Sequence, residues 1–232
     1  MISHKYRCIF VHIPKCAGTS VESALEHYPP DMTSGMQDHR SIREIEQPGH
    51  YVKLLRSSEG KEIILDRLIR PARAVKNKVT KTWNPNNFTS VTPQQYHAYF
   101  KFSVVRNPWD RAVSWYRNVI DDSGHQSYLG VSDSISFPEF LYKFIGEGPL
   151  RTQLYWLRNA DDFIPLDFIC RFESLHSDMD IVFDALGMTS MKLPHKLKSN
   201  TVRSYRDYYS DELAELVRYF YAEEIEFFNY DF

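Results

Sequence analysis

Residues 14–20, Pro14-Lys15-Cys16-Ala17-Gly18-Thr19-Ser20, stand between a short apolar run and the helix-favouring stretch VESALEHY. Small Ala17 and Gly18 let the backbone turn sharply and aim amide N–H groups inward. Thr19 and Ser20 add hydroxyl donors at the positive end of a helix dipole, and Lys15 brings a full charge. Such a turn is a cradle for a phosphate-like anion. The Walker pattern GxxxxGK[ST] is absent, because Lys15 precedes the glycine instead of following it. Taken alone, the stretch also reads as a plain strand–turn–helix with an incidental lysine.

A second stretch, KFSVVRNPWDRAVSWYR at 101–117, changes the balance. Arg106 falls at the C-terminal end of a predicted strand, where open α/β sheets bind ligands, and Ser114 falls two helical turns further on. A planar guanidinium fork with a hydroxyl nearby suits an isolated phosphate. Arg111 and Arg117 are expected to pair instead with Asp110, Asp121 or Asp122 along the helix, and Trp109 and Trp115 to be core.

The elements that must position these groups follow from the apolar pattern. Residues 6–13 predict a buried strand stopped by Pro14, and the helix after it has Val21, Ala24 and Leu25 on one face. Pro108 starts the helix of the second unit. A third unit has FICRF as strand and residues 173–187 as helix, closed by Gly187. Alternating strands and helices predict a parallel sheet with right-handed crossovers. Residues 211–228 predict one amphipathic helix docked on the sheet, the tail FFNYDF an aromatic plug, and 122–134 and 188–204 loops.

Composition narrows the classes. The 232 residues are 43% apolar and 25% charged, ordinary for one globular domain, and 28 Lys+Arg against 30 Asp+Glu give a net charge of −2. Nothing global argues for nucleic acid, so an anion site must come from local clustering. Three cysteines, Cys8, Cys16 and Cys170, form neither a disulfide framework nor a zinc set and fit a reducing compartment. No stretch reads as a signal peptide or membrane span, and the expectation is a cytoplasmic protein. Within a basic insertion at about 54–93, residues 61–81 carry seven Lys/Arg against two Asp/Glu. A solvated amphipathic helix, recruitment of an anionic acceptor and contact with a membrane surface are all compatible with it.

The two motifs, in this order, resemble the signature motifs of the sulfotransferases that use 3′-phosphoadenosine 5′-phosphosulfate (PAPS). They are most similar to the carbohydrate branch, with the heparan sulfate 2-O-, chondroitin and dermatan enzymes and their short bacterial relatives. The resemblance continues through LDFICRFESLHSDM, LPHKLKSN and the segment from Ser204 to Phe232, leaving 54–93 uncovered. Cys16 stands where Thr is frequent, and Cys170 where Gly is usual. The resemblance implies one sulfotransferase domain over 1–232, of α/β class: a three-layer, P-loop-NTPase-like fold with a central parallel sheet flanked by helices. It implies that Lys15, Cys16, Ala17, Gly18, Thr19 and Ser20 hold the 5′-phosphosulfate and that Arg106 and Ser114 hold the 3′-phosphate. A loop with Lys196, Lys198, Ser199 and Asn200 would close over the nucleotide. The acceptor would be a carbohydrate or other hydroxyl-bearing molecule.

Sulfuryl transfer by in-line displacement, argued by analogy with phosphoryl transfer, needs charge stabilised on the leaving oxygen, for which Lys15 and the loop amides are placed. It requires no metal, and no carboxylate cluster demands one. The acceptor hydroxyl needs a base, and neutral histidine suits pH 7. Among nine histidines the resemblance points to His39 in QDHRSIREI, which follows the first binding unit, because short relatives carry a His in a similar context. His12 is expected to be structural; His50, His97, His195, Glu22 and Glu44 are the other candidates. A kinase-like phosphotransferase and a non-catalytic nucleotide-binding protein on the same fold are the alternative readings.

Overall fold

A computed structural model describes residues 1–28, 37–46, 61, 64–65, 84–188, 191, 193 and 203–232. Its sheet, among these residues, has four strands in the order β1 (Ile2–Ser3), β2 (Cys8–Val11), β3 (Phe100–Val105) and β4 (Phe168–Arg171). β2, β3 and β4 run parallel, as the alternating pattern predicts. β1 is an antiparallel edge strand that the pattern did not announce. It turns into β2 through Arg7, held at φ 50, so the first long strand begins at Cys8 and not at Tyr6. β2 is buried throughout and β3 nearly so, the state of strands covered on both faces.

Helices flank this sheet. α1 (Gly18–Ala24) and α2 (Ile42–Ile45) follow β2, and α3 (Pro93–Ala98) leads into β3. α4 (Pro108–Ile120), α5 (Ser123–Leu129), α6 (Phe137–Phe144) and α7 (Gln153–Leu157) separate β3 from β4. After β4 come α8 (Leu175–Ala185), α9 (Asp211–Phe220) and α10 (Ala222–Phe228). α4 starts where its sequence says it must. The Asn107 side chain accepts from the Trp109 and Asp110 N–H groups, and Pro108 occupies the first turn, where its missing N–H costs nothing. Gly187, at φ 70, ends α8 in the left-handed conformation.

Apolar side chains form two clusters. One joins the sheet to α1, α2, α7 and α8 around Phe10, Phe102 and Phe183; the other joins α4, α6, α9 and α10 around Trp109, Phe140 and Val217. Each fully buried side chain of this size contributes roughly 1.5–3 kcal/mol. The tail closes both: Phe228 and Tyr230 enter the first cluster, while the Phe232 ring stands 5.6 Å from that of Trp109.

Some expectations are corrected. Residues 123–129 are helical, not loop, because the Asp122 carboxylate caps the His125 N–H at 2.8 Å and Gly130 ends the helix at φ 64. The predicted helix at 211–228 is two helices that meet at Tyr221, whose buried ring donates its hydroxyl proton to the Leu150 carbonyl. α9 docks on α4 instead of the sheet, and Trp109 Nε1 donates to the Ala214 carbonyl at 3.0 Å. Arg111 is fully buried and donates to the Arg151 carbonyl. Of its expected partners Asp110, Asp121 and Asp122, the first is taken by Arg106. The basic segment 61–81 lies outside the described residues except for Lys61 and residues 64–65.

Candidate active site

Turns that leave the C-terminal ends of adjacent parallel strands emerge side by side, and β2 and β3 are such neighbours. In the first turn Lys15 sits at φ 68 and Ala17 at φ 60. The left-handed region is unfavourable for residues with a Cβ, by ~1–2 kcal/mol each, and persists only where the surroundings enforce it. Within the loop the Cys16 N–H is spent on the Ile13 carbonyl at 3.3 Å. The first intrahelical bonds of α1 run from the Ser20 and Val21 N–H groups to the Ala17 carbonyl, leaving the Gly18 and Thr19 amides outside that ladder.

The loop rests on His12. A Cβ at Gly18 would lie 2.0 Å from the His12 imidazole, so only glycine fits there. That ring cannot retreat, because His12 Nδ1 donates to Glu22 Oε1 at 2.8 Å. Glu22 also accepts from the Tyr28 hydroxyl at 2.6 Å and the Asp38 N–H at 3.1 Å. Burial by itself would raise the Glu22 carboxyl pKa; the His12 imidazole, then the N-terminal ammonium and the Tyr28 hydroxyl, override it and hold it down to about 2. His12 is thus structural, as expected, and Glu22 is committed to it.

The second turn meets the first directly. Arg106 Nη1 donates to the Lys15 carbonyl at 3.0 Å, its Nε donates to Asp110 Oδ2 at 2.8 Å, and the guanidinium covers the Phe172 ring at 3.9 Å. The Lys15 ammonium reaches the other way and donates to Asn118 Oδ1, 5.9 Å from the Trp115 ring. Burial first, and the Arg106 charge second, push the Lys15 pKa down to about 8. Ser114 is half-buried on α4 one turn before Asn118, on the same helix face. Lys15, Arg106 and the face of α4 that carries Ser114 and Asn118 therefore border the first loop. Cys16 is buried beneath it, and burial pushes its thiol up to about 12, which makes it inert packing.

His39 joins the same place. Its ring centroid is 4.2 Å from that of His12, its Nδ1 is 3.2 Å from the His12 carbonyl oxygen, and its Nε2 is 2.9 Å from Gln37 Oε1. Gln37 Nε2 in turn donates to Thr19 Oγ1, so one carboxamide bridges the loop and the histidine. The residue keeps an exposed edge. Protein packed around the imidazole, and then the adjoining His12, push its pKa down from the ordinary histidine value, leaving it neutral at pH 7.

Other expected residues fall elsewhere. His97 is exposed on α3, before β3, at the opposite end of the strand from Arg106. The Glu44 carboxylate accepts from the Ser41 N–H at 2.7 Å as part of the capping box of α2. His50, His195, Lys196, Lys198, Ser199 and Asn200 lie outside the described residues. Among the described residues, no group of three or more His, Cys, Asp or Glu is placed to hold a metal ion, and no helix is long and apolar enough to cross a membrane.

Three residues of the site had no part in the sequence reading: Gln37, Asn118 and Gln153. Asn118 carried a signal, its spacing of four from Ser114. The other two did not, because their contacts reach Thr19 and Arg106 across long stretches of chain.

A family model described as Sulfotransferase family matches residues 1–231. No curated protein and no solved structure matches the chain.

Proposed function

The chain belongs to the sulfotransferase family, and from that premise we propose that it moves a sulfuryl group from PAPS to a hydroxyl of a carbohydrate or glycoconjugate. The 3.0 Å hydrogen bond from Arg106 to the Lys15 carbonyl carries this reading, because it joins the two motifs in one anion-binding place. The donor set suits a bisphosphorylated nucleotide: backbone amides, two hydroxyls and Lys15 at one end, a guanidinium and the Ser114 hydroxyl at the other. The carbohydrate class of acceptor rests on the resemblance of the motifs.

When bound, PAPS supplies a sulfuryl group already activated by its phosphate leaving group. Lys15 and the amides of the first turn stabilise the charge that grows on the leaving oxygen; one such preorganised donor is worth about 10²–10³ in rate. Lys15 exchanges its Asn118 partner for this oxygen. His39 takes the acceptor proton. Its Nδ1 faces a backbone carbonyl, which only accepts, so the ring proton resides on Nδ1 and the lone pair on Nε2. Turning the Gln37 amide over presents its NH₂ to that lone pair and its oxygen to the Thr19 hydroxyl, so both contacts survive the exchange. Displacement of Gln37 by an acceptor hydroxyl then puts the base in reach of its proton.

Calorimetry with adenosine 3′,5′-bisphosphate, and separately with ATP and Mg²⁺, tests the reading. Binding of the bisphosphate with release of sulfated product from PAPS is expected. Binding of ATP with Mg²⁺ and not of the bisphosphate would replace the reading with phosphoryl transfer, and bisphosphate binding without turnover would leave a nucleotide-binding protein.

A further inference from the structure

Arg106 is the first residue beyond β3, where the sheet no longer supplies partners for its backbone. In an extended chain the N–H and C=O of one residue point the same way, so a single carboxamide can satisfy both. Gln153 does this. Its Oε1 accepts from the Arg106 N–H at 2.8 Å, and its Nε2 donates to the Arg106 carbonyl at 2.8 Å. The same Oε1 is 3.5 Å from Cys16 Sγ, which donates to it, so the amide touches both turns of the site.

Gln153 is itself fixed from behind. Fully buried Glu224, on α10, accepts from Gln153 Nε2 at 3.1 Å, from the Gln153 backbone N–H, and from the Thr152 hydroxyl at 2.6 Å. The carboxylate thus caps the start of α7 and dictates which end of the Gln153 amide faces which group of Arg106. Reversal would set oxygen against oxygen at two places. The Arg106 side chain leaves this clamped backbone for Asp110 and Lys15.

We propose that Gln153, oriented by Glu224, is a positioning residue that sets the Arg106 guanidinium for recognition of the nucleotide 3′-phosphate, and so determines preference for 3′-phosphorylated over plain adenylate. This rests on the reading of Arg106 as the 3′-phosphate ligand. Gln153→Met keeps the length and volume of the side chain and removes its hydrogen bonds.

The measurement is the ratio of dissociation constants for adenosine 5′-monophosphate and adenosine 3′,5′-bisphosphate, by calorimetry on the full chain. In Gln153→Met the ratio is expected to fall about tenfold, with the monophosphate constant moving less than about twofold. A merely structural role would weaken both nucleotides alike and leave the ratio unchanged, and that result would overturn the proposal. Glu224→Gln, which can no longer accept at every contact, provides a second variant and should lower the ratio in the same selective way. If Gln153→Met does not fold, an unchanged ratio in Glu224→Gln overturns the proposal. A wild-type ratio near one would overturn the role of Arg106 and this inference together. A large wild-type ratio abolished by Arg106→Ala but retained by Gln153→Met would overturn this inference alone.

Discussion

The α-carbon of Gly18 is pressed so closely to the His12 imidazole that an added methyl would sit 2.0 Å from Nε2. Overpacking of this kind usually costs ~1–3 kcal/mol, and the Glu22 bond prevents the ring from swinging away. Gly18→Ala is expected to lower the melting temperature and to weaken nucleotide binding, since the loop must lift. Calorimetry that finds wild-type stability and affinity in this variant would show that the loop does not rest on His12.

Arg106→Ala should weaken binding of adenosine 3′,5′-bisphosphate by roughly 1.5–3 kcal/mol for each charged hydrogen bond lost. Arg106→Lys should recover only part of this, because an ammonium cannot reach Lys15 and a phosphate with the same fork. Titration of both variants decides the matter; an unchanged dissociation constant in Arg106→Ala removes the residue from the site.

His39→Ala should reduce turnover by ~10²–10⁴ and leave the dissociation constant of the bisphosphate nearly unchanged. Its depressed pKa places the acid limb of the wild-type rate profile below the ordinary histidine value of 6.5. Single-turnover rates against pH report this limb directly. A wild-type rate in the alanine variant would pass the role of base to another group.

Lys15 predicts two trends of opposite sign above neutrality. With its pKa lowered from 10.5 to about 8, the ammonium is lost from the free protein as pH rises through 8, and bisphosphate affinity should fall there. The unfolded chain holds that proton up to pH 10.5, so this group should add stability to the ligand-free protein over the same interval. Lys15→Arg, charged at every accessible pH, should abolish the alkaline fall in affinity. Titrations at several pH values alongside thermal melts read the two effects separately.

The supports of the site were legible in the sequence wherever the signal was local. Strand, tight turn and helix follow one another within residues 8–24 and again within 100–120, and apolar runs, Pro14 and Pro108 mark their limits. What was hidden depends on distant chain. Arg111 resembles Arg117 in a helical pattern of charges, and nothing nearby tells that it is buried against the Arg151 carbonyl. The polar stretch at 123–129 lacks apolar periodicity and buries no residue fully, so its helix depends on its caps and on partners outside it. The His125 ring meets Trp115, Gln126 Nε2 donates to the Val119 and Ile120 carbonyls, and Leu129 leans on the second cluster. Gln153 looks like any first-turn glutamine, and its importance comes from Arg106, 47 positions away.

The two turns leave neighbouring strands, with Val11 opposite Ser103, so the distance between their roots is the ~4.8 Å spacing of paired backbones. The sheet is a ruler that point substitution cannot stretch. Under the proposed function, a donor whose two anions lie at another spacing would meet turns rooted too near or too far apart to hold both, whereas the rim beyond His39 is tied to no such spacing.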